Sequence, residues 1–266
     1  MKKKVITRAF SRISVALFIT GGSCLVTSCD DDDNDNVDNS TEPGPIQTYI
    51  VTVQNTSNQP MGPVATATHS ADGSIWTVGG LASPGVQQVA EIGNPMALVG
   101  EMLDNPAVTD VANSGAPMPS RGRVVPRFGP FANGGPDLTD TQTFEIEGRT
   151  NDRLSMASML IGTNDGFWGL SGVRLPATGT RSYTARGYDS GTEENDELQQ
   201  NIDDGASILG PEPLPNELNG APDNGGTPTQ PPQGIRNHPG IRGVGDIPSS
   251  FRFGSSVARV TISVKE

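Results

Sequence analysis

Thr48-Tyr49-Ile50-Val51-Thr52-Val53 alternates in character and is rich in β-branched residues, which predicts a strand. Its counterpart stands at the far end of the chain. Across Val257 to Val264, the residues Ala258, Val260, Ile262 and Val264 share one face, so the domain closes only with its last strand. Between the two, strands are predicted at Ser74–Val78, Gln142–Glu147, Leu154–Ile161 and Arg181–Tyr188. Ser83-Pro84-Gly85 opens a short helix that Gly93 ends: Ser suits the N-cap, Pro the first helical position and Gly the C-cap. Further helical turns are expected from Met96 to Leu103 and over residues 194–202. Residues 104–140 read as loop, with Arg121 to Phe128 extended. About eight strands with helices confined to connections describe a mainly β fold, an antiparallel β-sandwich.

Composition agrees with that reading. Of 266 residues, 33% are hydrophobic and 5% aromatic, while Gly (33) and Pro (22) make up a fifth of the chain. Helix breakers at that density exclude a coiled coil or a long-helix protein. A charged fraction of 18% is not that of a wholly disordered chain. From Pro211 to Gly234, 11 of 24 residues are Pro or Gly without apolar periodicity, which reads as a long surface loop or disordered insert.

The first residues read as an address. Lys2, Lys3, Lys4, Arg8 and Arg12 precede an apolar run, Ile13 to Thr27, which is shorter than the ~20 residues of a membrane span. It ends in Leu25-Val26-Thr27-Ser28-Cys29, the pattern of a bacterial lipoprotein signal. Residues 1–28 are therefore the expected signal peptide and Cys29 the expected lipidation site, anchoring the protein to a membrane. An ordinary secretory signal is the alternative. Cys24 leaves with the signal, so no disulfide or thiol ligand is expected afterwards. Asp30-Asp31-Asp32-Asp33-Asn34-Asp35 opens a polar tether over residues 29–45, extended by self-repulsion. An acidic run directly after such a signal resembles the surface-export signals of Bacteroidetes-type lipoproteins. The expected location is the cell envelope, on an outer membrane and facing outward. Without the five basic residues of the signal, 13 basic side chains face 30 acidic ones, a net charge of −17. Nucleic acid is a poor partner for such a surface, and divalent cations are good ones.

Catalytic motifs are missing. The two histidines, His69 and His238, fit no zinc-protease pattern, and there is no nucleophile elbow, phosphate loop or dinucleotide fingerprint. His69 reads as structural, His238-Pro239-Gly240 as a turn. No enzyme is expected, although 30 acids leave a carboxylate-based glycan hydrolase open, and a purely structural envelope protein is the other alternative. More telling are two acidic turns, each directly after a strand: Thr163-Asn164-Asp165-Gly166-Phe167-Trp168 and Tyr188-Asp189-Ser190-Gly191-Thr192-Glu193. Calcium takes about 6–8 oxygen ligands, and two such loops converging at one end of a sandwich can supply them. Ordinary polar turns are the alternative, because Asp and Gly favour turns anyway.

Here the residues carry a resemblance. Ser158-Met159-Leu160, Asp165-x-Phe167 with Gly169, and Asp189-x-Gly191-Thr192-Glu193 are similar to the core of the spondin N-terminal domain, which reads Ser-x-Met, Pro-Asp-Trp-Phe-x-Gly and Trp-Asp-Ala-Gly-Thr-Asp. His69-Ser70, Trp76, Gly79, Ala82-Ser83-x-Gly85-Val86, Ala90-Glu91 and Gly93 match its upstream segment in order. The resemblance covers about residues 46–205, and the terminal strand fits as the last of a domain spanning 46–266. It implies an antiparallel β-sandwich with a calcium site whose three acids fall on Asp165, Asp189 and Glu193. It also implies an adhesion or ligand-binding role toward a glycan, glycolipid or protein. Asn164, Gly166, Tyr188 and Glu193 depart from the pattern, standing where Pro, Trp, Trp and Asp are usual. Phe167, Trp168 and Tyr188 could form a binding patch beside the loops, though aromatic residues are more often core.

Overall fold

The computed structural model describes residues 44–113, 123–124, 141–203 and 225–266. The expected signal peptide, Cys29, the tether up to residue 43 and residues 211–224 of the insert lie outside these. Strands β1 (Ile46–Asn55), β2 (Ala65–His69), β3 (Val108–Asn113), β4 (Arg123–Val124), β5 (Thr141–Arg149), β6 (Arg153–Met159), β7 (Gly166–Arg174), β8 (Thr180–Asp189), β9 (Arg236–Asn237) and β10 (Ser256–Val264) belong to one sheet. Its order is β4-β3-β2-β6-β7-β8-β10-β1-β5, with β9 paired to β8. Every pairing is antiparallel except the two-residue contact of β3 with β4.

The sheet curls until its ends nearly meet. On β5 the Glu147 amide donates to the Asp110 carboxylate of β3 (2.9 Å), and Thr68 of β2 donates its hydroxyl to the Glu147 carbonyl (2.5 Å). The two layers of the expected sandwich are thus opposed halves of a single, almost closed sheet. Alternation sets the lining: Tyr49, Val51 and Val53 of β1 point inward, with Val51 opposite Ile262 of β10 on one side and Phe144 of β5 on the other. Leu154, Met156, Trp168 and Val260 complete this core, each burial contributing ~1.5–3 kcal/mol.

A second core lies on the outer face of β2, β6 and β7, under helices α1 (Pro84–Ile92) and α2 (Met96–Asp104). Val86, Val89, Leu98 and Met102 pack there with Ala65, Ala67, Ala157 and Phe167. The boundaries of α1 are those its sequence encodes. Ser83 accepts from the Val86 amide, Pro84 follows it, and Gly93 takes the left-handed conformation (φ 62°). Glu101 of α2 accepts from both the Ser83 hydroxyl (2.6 Å) and the Gly85 amide (2.7 Å), which ties the start of α1 to α2.

Several expectations are corrected. Ser74–Val78 is not a strand: Trp76 is buried and bonds the Met156 carbonyl through its indole, while the chain turns at Thr77–Gly80. Strands β2, β3 and β7 fall where none was expected. Within 194–202 only Gln199–Asn201 is helical, as one 3-10 turn. Of the insert, residues 225–234 are described, and they pack across the loop after β8.

Candidate functional site

The loop from β6 into β7 carries Asp165, and the end of β8 carries Asp189. Gly166 pairs with Asp189 across the ladder, so the register of β7 and β8 sets the two acids side by side. Both are buried. Asp165 organises the loop opposite. Its Oδ2 accepts from the Thr192 amide (2.8 Å), the Glu193 amide (3.1 Å) and the Ser190 hydroxyl (3.0 Å), and its carbonyl accepts from the Ser190 amide (3.1 Å). Its Oδ1 is fully buried and has no partner.

Asp189 is held differently. Oδ1 accepts from the Gly191 amide (2.8 Å), in a turn that needs the left-handed Gly191 (φ 77°). Oδ2 accepts from Asn195 Nδ2 (2.7 Å) and forms an ion pair with Arg236 Nη2 (2.8 Å). Burial and then the neighbouring Asp165 charge push the Asp189 carboxyl up, against the pull of Arg236, Gly191 and Asn195. Glu91, at the end of α1, lies near enough to feel the Asp165 charge. Burial raises it and the Asp165 charge adds to that, while hydrogen bonds from Thr192 and Gln87 lower it.

The sequence-predicted acids are therefore brought together unequally. Asp165 and Asp189 are adjacent. Glu193 joins through its backbone amide, while its carboxylate lies against Gly226, where an added Cβ would overlap it. Among the described residues, no three His, Cys, Asp or Glu side chains are grouped to hold a metal ion. Oxygen donors are plentiful at the pair, with the free Asp165 Oδ1 and the Ser190 and Thr192 hydroxyls nearby. That donor set suits a hard cation such as calcium rather than zinc.

A strap from the far end of the chain crosses this loop. The Thr229 amide donates to the Thr192 carbonyl (2.8 Å), the Gln233 amide to that of Gly191 (2.9 Å), and β9 extends the ladder of β8. Between strap and loop lies a cleft of about 580 Å³ lined by Asp189, Glu193, Glu194, Gln233, Arg236 and Arg242, among others. Arg236 and Asn195 escaped the sequence reading because neither lies in a motif with the acid it meets, and Glu91 entered it only within the upstream segment of the resemblance, not as a site residue. The aromatic residues do not form an exposed patch here. Phe167 and Trp168 are fully buried, and Tyr188 packs edge-on to Trp76 (4.7 Å between centroids).

The family model described as Spondin_N matches residues 54–199. The chain belongs to the spondin N-terminal family. No curated protein matches it. The match covers Asp165, Asp189 and Glu193, so the acidic turns of this spondin domain are family territory. It ends before β10, the strap and Arg236. The spondin domain thus completes its sheet, and covers its acidic loop, with chain that lies beyond the matched segment.

Proposed function

We propose that this spondin domain is a non-enzymatic calcium-binding module that serves adhesion or ligand binding in the cell envelope. In this reading, a signal peptide over residues 1–28 delivers the chain, lipidated Cys29 anchors it to an outer membrane, and the acidic tether displays it outward. The ligand is a glycan, glycolipid or protein.

One observation carries the calcium reading. Asp165 is wholly buried beside a second carboxylate, and its Oδ1 has no hydrogen-bond donor. A buried charged oxygen without a partner costs several kcal/mol, and a cation between the two acids relieves both that cost and their repulsion. When bound, calcium supplies charge neutralisation and pins the two turns together. Asp165 and Asp189 would hold it, with Glu193, Ser190 and Thr192 as the adjacent oxygen donors.

Thermal unfolding of the protein in calcium and in chelator tests this. Calcium at 100 times its dissociation constant adds ~2.7 kcal/mol, which raises the melting temperature of a domain this size by about 5–11 °C. The rise should vanish in Asp189→Asn. An unchanged wild-type melting temperature would sink the calcium site.

A carboxylate-dependent glycan hydrolase is the second reading, favoured by Asp189 and Glu193 lining one cleft. Release of reducing sugar from envelope or host glycans, abolished by Glu193→Gln, would put it first.

A further inference from the structure

The cleft face of Asp189 is already occupied by a cation of the protein's own. Arg236 Nη2 stands 2.8 Å from Asp189 Oδ2, and Asn195 Nδ2 stands 2.7 Å from the same oxygen. Two donors fill the two in-plane lone pairs of that oxygen, and the Gly191 amide takes one on Oδ1. A metal that engages Asp189 through both oxygens has to displace one of these groups. Even a metal bound through Oδ1 alone meets a guanidinium charge on the far side of its ligand. The arginine leaves by giving up the ion pair and one exposed hydrogen bond, from its Nη1 to Gln233 Oε1 (2.7 Å): its side chain is 40% exposed, whereas that of Asp189 is 1% exposed. The strand that carries it is only two residues long, yet fixed by backbone pairing of Tyr188 with Asn237 and of Asp189 with Arg236. Loss of the ion pair therefore need not unseat the strap.

We propose that Arg236 is an internal competitor for the calcium site: it neutralises Asp189 when metal is absent and is displaced into the cleft when metal binds. This rests on the calcium reading above and adds to it a regulator from outside the family segment. With Arg236 in place, its guanidinium offsets one unit of negative charge at the Asp165–Asp189 pair; without it, that offset is lost. Calcium sees a stronger field in the second case, and at separations of ~6 Å in a partly buried site that difference corresponds to tenfold or more in affinity. The competition also sets a threshold. Calcium must reach the concentration at which it outbids a tethered guanidinium before the cleft changes its charge.

Calcium titration by calorimetry, with thermal unfolding in parallel, tests the proposal on wild-type protein, Arg236→Gln and Arg236→Lys. Arg236→Gln should bind calcium about tenfold more tightly. It should melt lower than wild type in chelator and recover that loss in calcium. Arg236→Lys keeps the charge and should stay close to wild type. Equal or weaker binding by Arg236→Gln, or a loss of stability that calcium does not restore, would overturn the competition while leaving the calcium site standing. No calcium binding by any of the three proteins would instead remove the site itself, and the competition with it.

Discussion

His238 follows β9, with its Nδ1 accepting from the Gly240 amide (3.0 Å), its ring against Phe253 (5.2 Å between centroids) and its Nε2 buried. An Nδ1 that accepts puts the ring proton on Nε2, so the ring is neutral. Burial, with Arg236 and Arg242 adding to it, lowers its pKa from 6.5 to about 4, against the opposing charge of Glu197. Because the folded pKa lies below the unfolded one, the unfolded chain takes up the proton first. Stability from this group is full above pH 6.5 and is lost as pH falls toward 4, a change of about 3 kcal/mol. The stability difference between wild type and His238→Gln, read by denaturant titration, should therefore shift by about 3 kcal/mol against wild type as pH falls from 6.5 to 4. A constant gap between them would contradict the buried neutral ring. Gly169 makes the second prediction at this scale. A Cβ there would overlap the Met156 carbonyl and crowd the Trp76 ring (2.8 Å). Gly169→Ala should lower the melting temperature by several degrees, with Trp76 fluorescence shifted toward that of an exposed indole.

At the scale of elements, Ser83 has two duties, capping α1 and donating to Glu101 of α2. Ser83→Ala should cost ~1–2 kcal/mol, at the upper end for a cap, because it also leaves half of the Glu101 contact unmade. Chemical denaturation reads that loss as a shift in midpoint at constant slope. The same helix shows why part of the fold was legible. Cap chemistry is local, so α1 could be bounded from Ser83, Pro84 and Gly93 alone. β1, β5, β8 and β10 were legible because one side of each is core and the other meets water. β2 was not, since all of Ala65-Thr66-Ala67-Thr68-His69 is buried, between the barrel interior on one side and the helices on the other. Ala and Thr do alternate there, but both are small and both faces are buried, so the contrast of large apolar with polar that marks a half-exposed strand is missing. β7 hid behind Gly166 and Gly169, which answer to the close approach of neighbours rather than to strand propensity, and behind Gly172, which takes the left-handed conformation (φ 64°). Ser74–Val78 has the pattern of a strand because Ile75 and Trp76 serve the helix-covered core from a loop. For the site, adjacent positions in motifs revealed Asp165 and Asp189. Arg236, 47 residues beyond Asp189, is joined to it only by the β8–β9 pairing.

At the largest scale, the described fold sets its first strand, β1, beside β10. β10 lies between β8 and β1, and Val260 and Ile262 sit in the centre of the barrel core. Removing residues 256–266 should abolish cooperative unfolding altogether, rather than merely lower its midpoint. The strap contributes in the same way to the region around the site. The Glu197 carboxylate accepts from the amides of Arg242 (2.6 Å), Gly243 (2.6 Å) and Val244 (2.9 Å), and its neighbour Asp196 holds Asn164, next to Asp165. Burial alone would raise Glu197, but these three amides and the Arg242 charge hold it below the usual carboxylate range. The loop that carries the acids is thereby latched to chain some 50 residues further on. The placing of β10 also has a temporal meaning. On a ribosome adding ~5–20 residues per second, β1 waits about 10–40 s for the strand that belongs beside it, long after β5 has covered its other flank. Through that interval one edge of β1 is open to a chaperone or to the edge of another nascent chain, and the arrival of β10 ends the exposure.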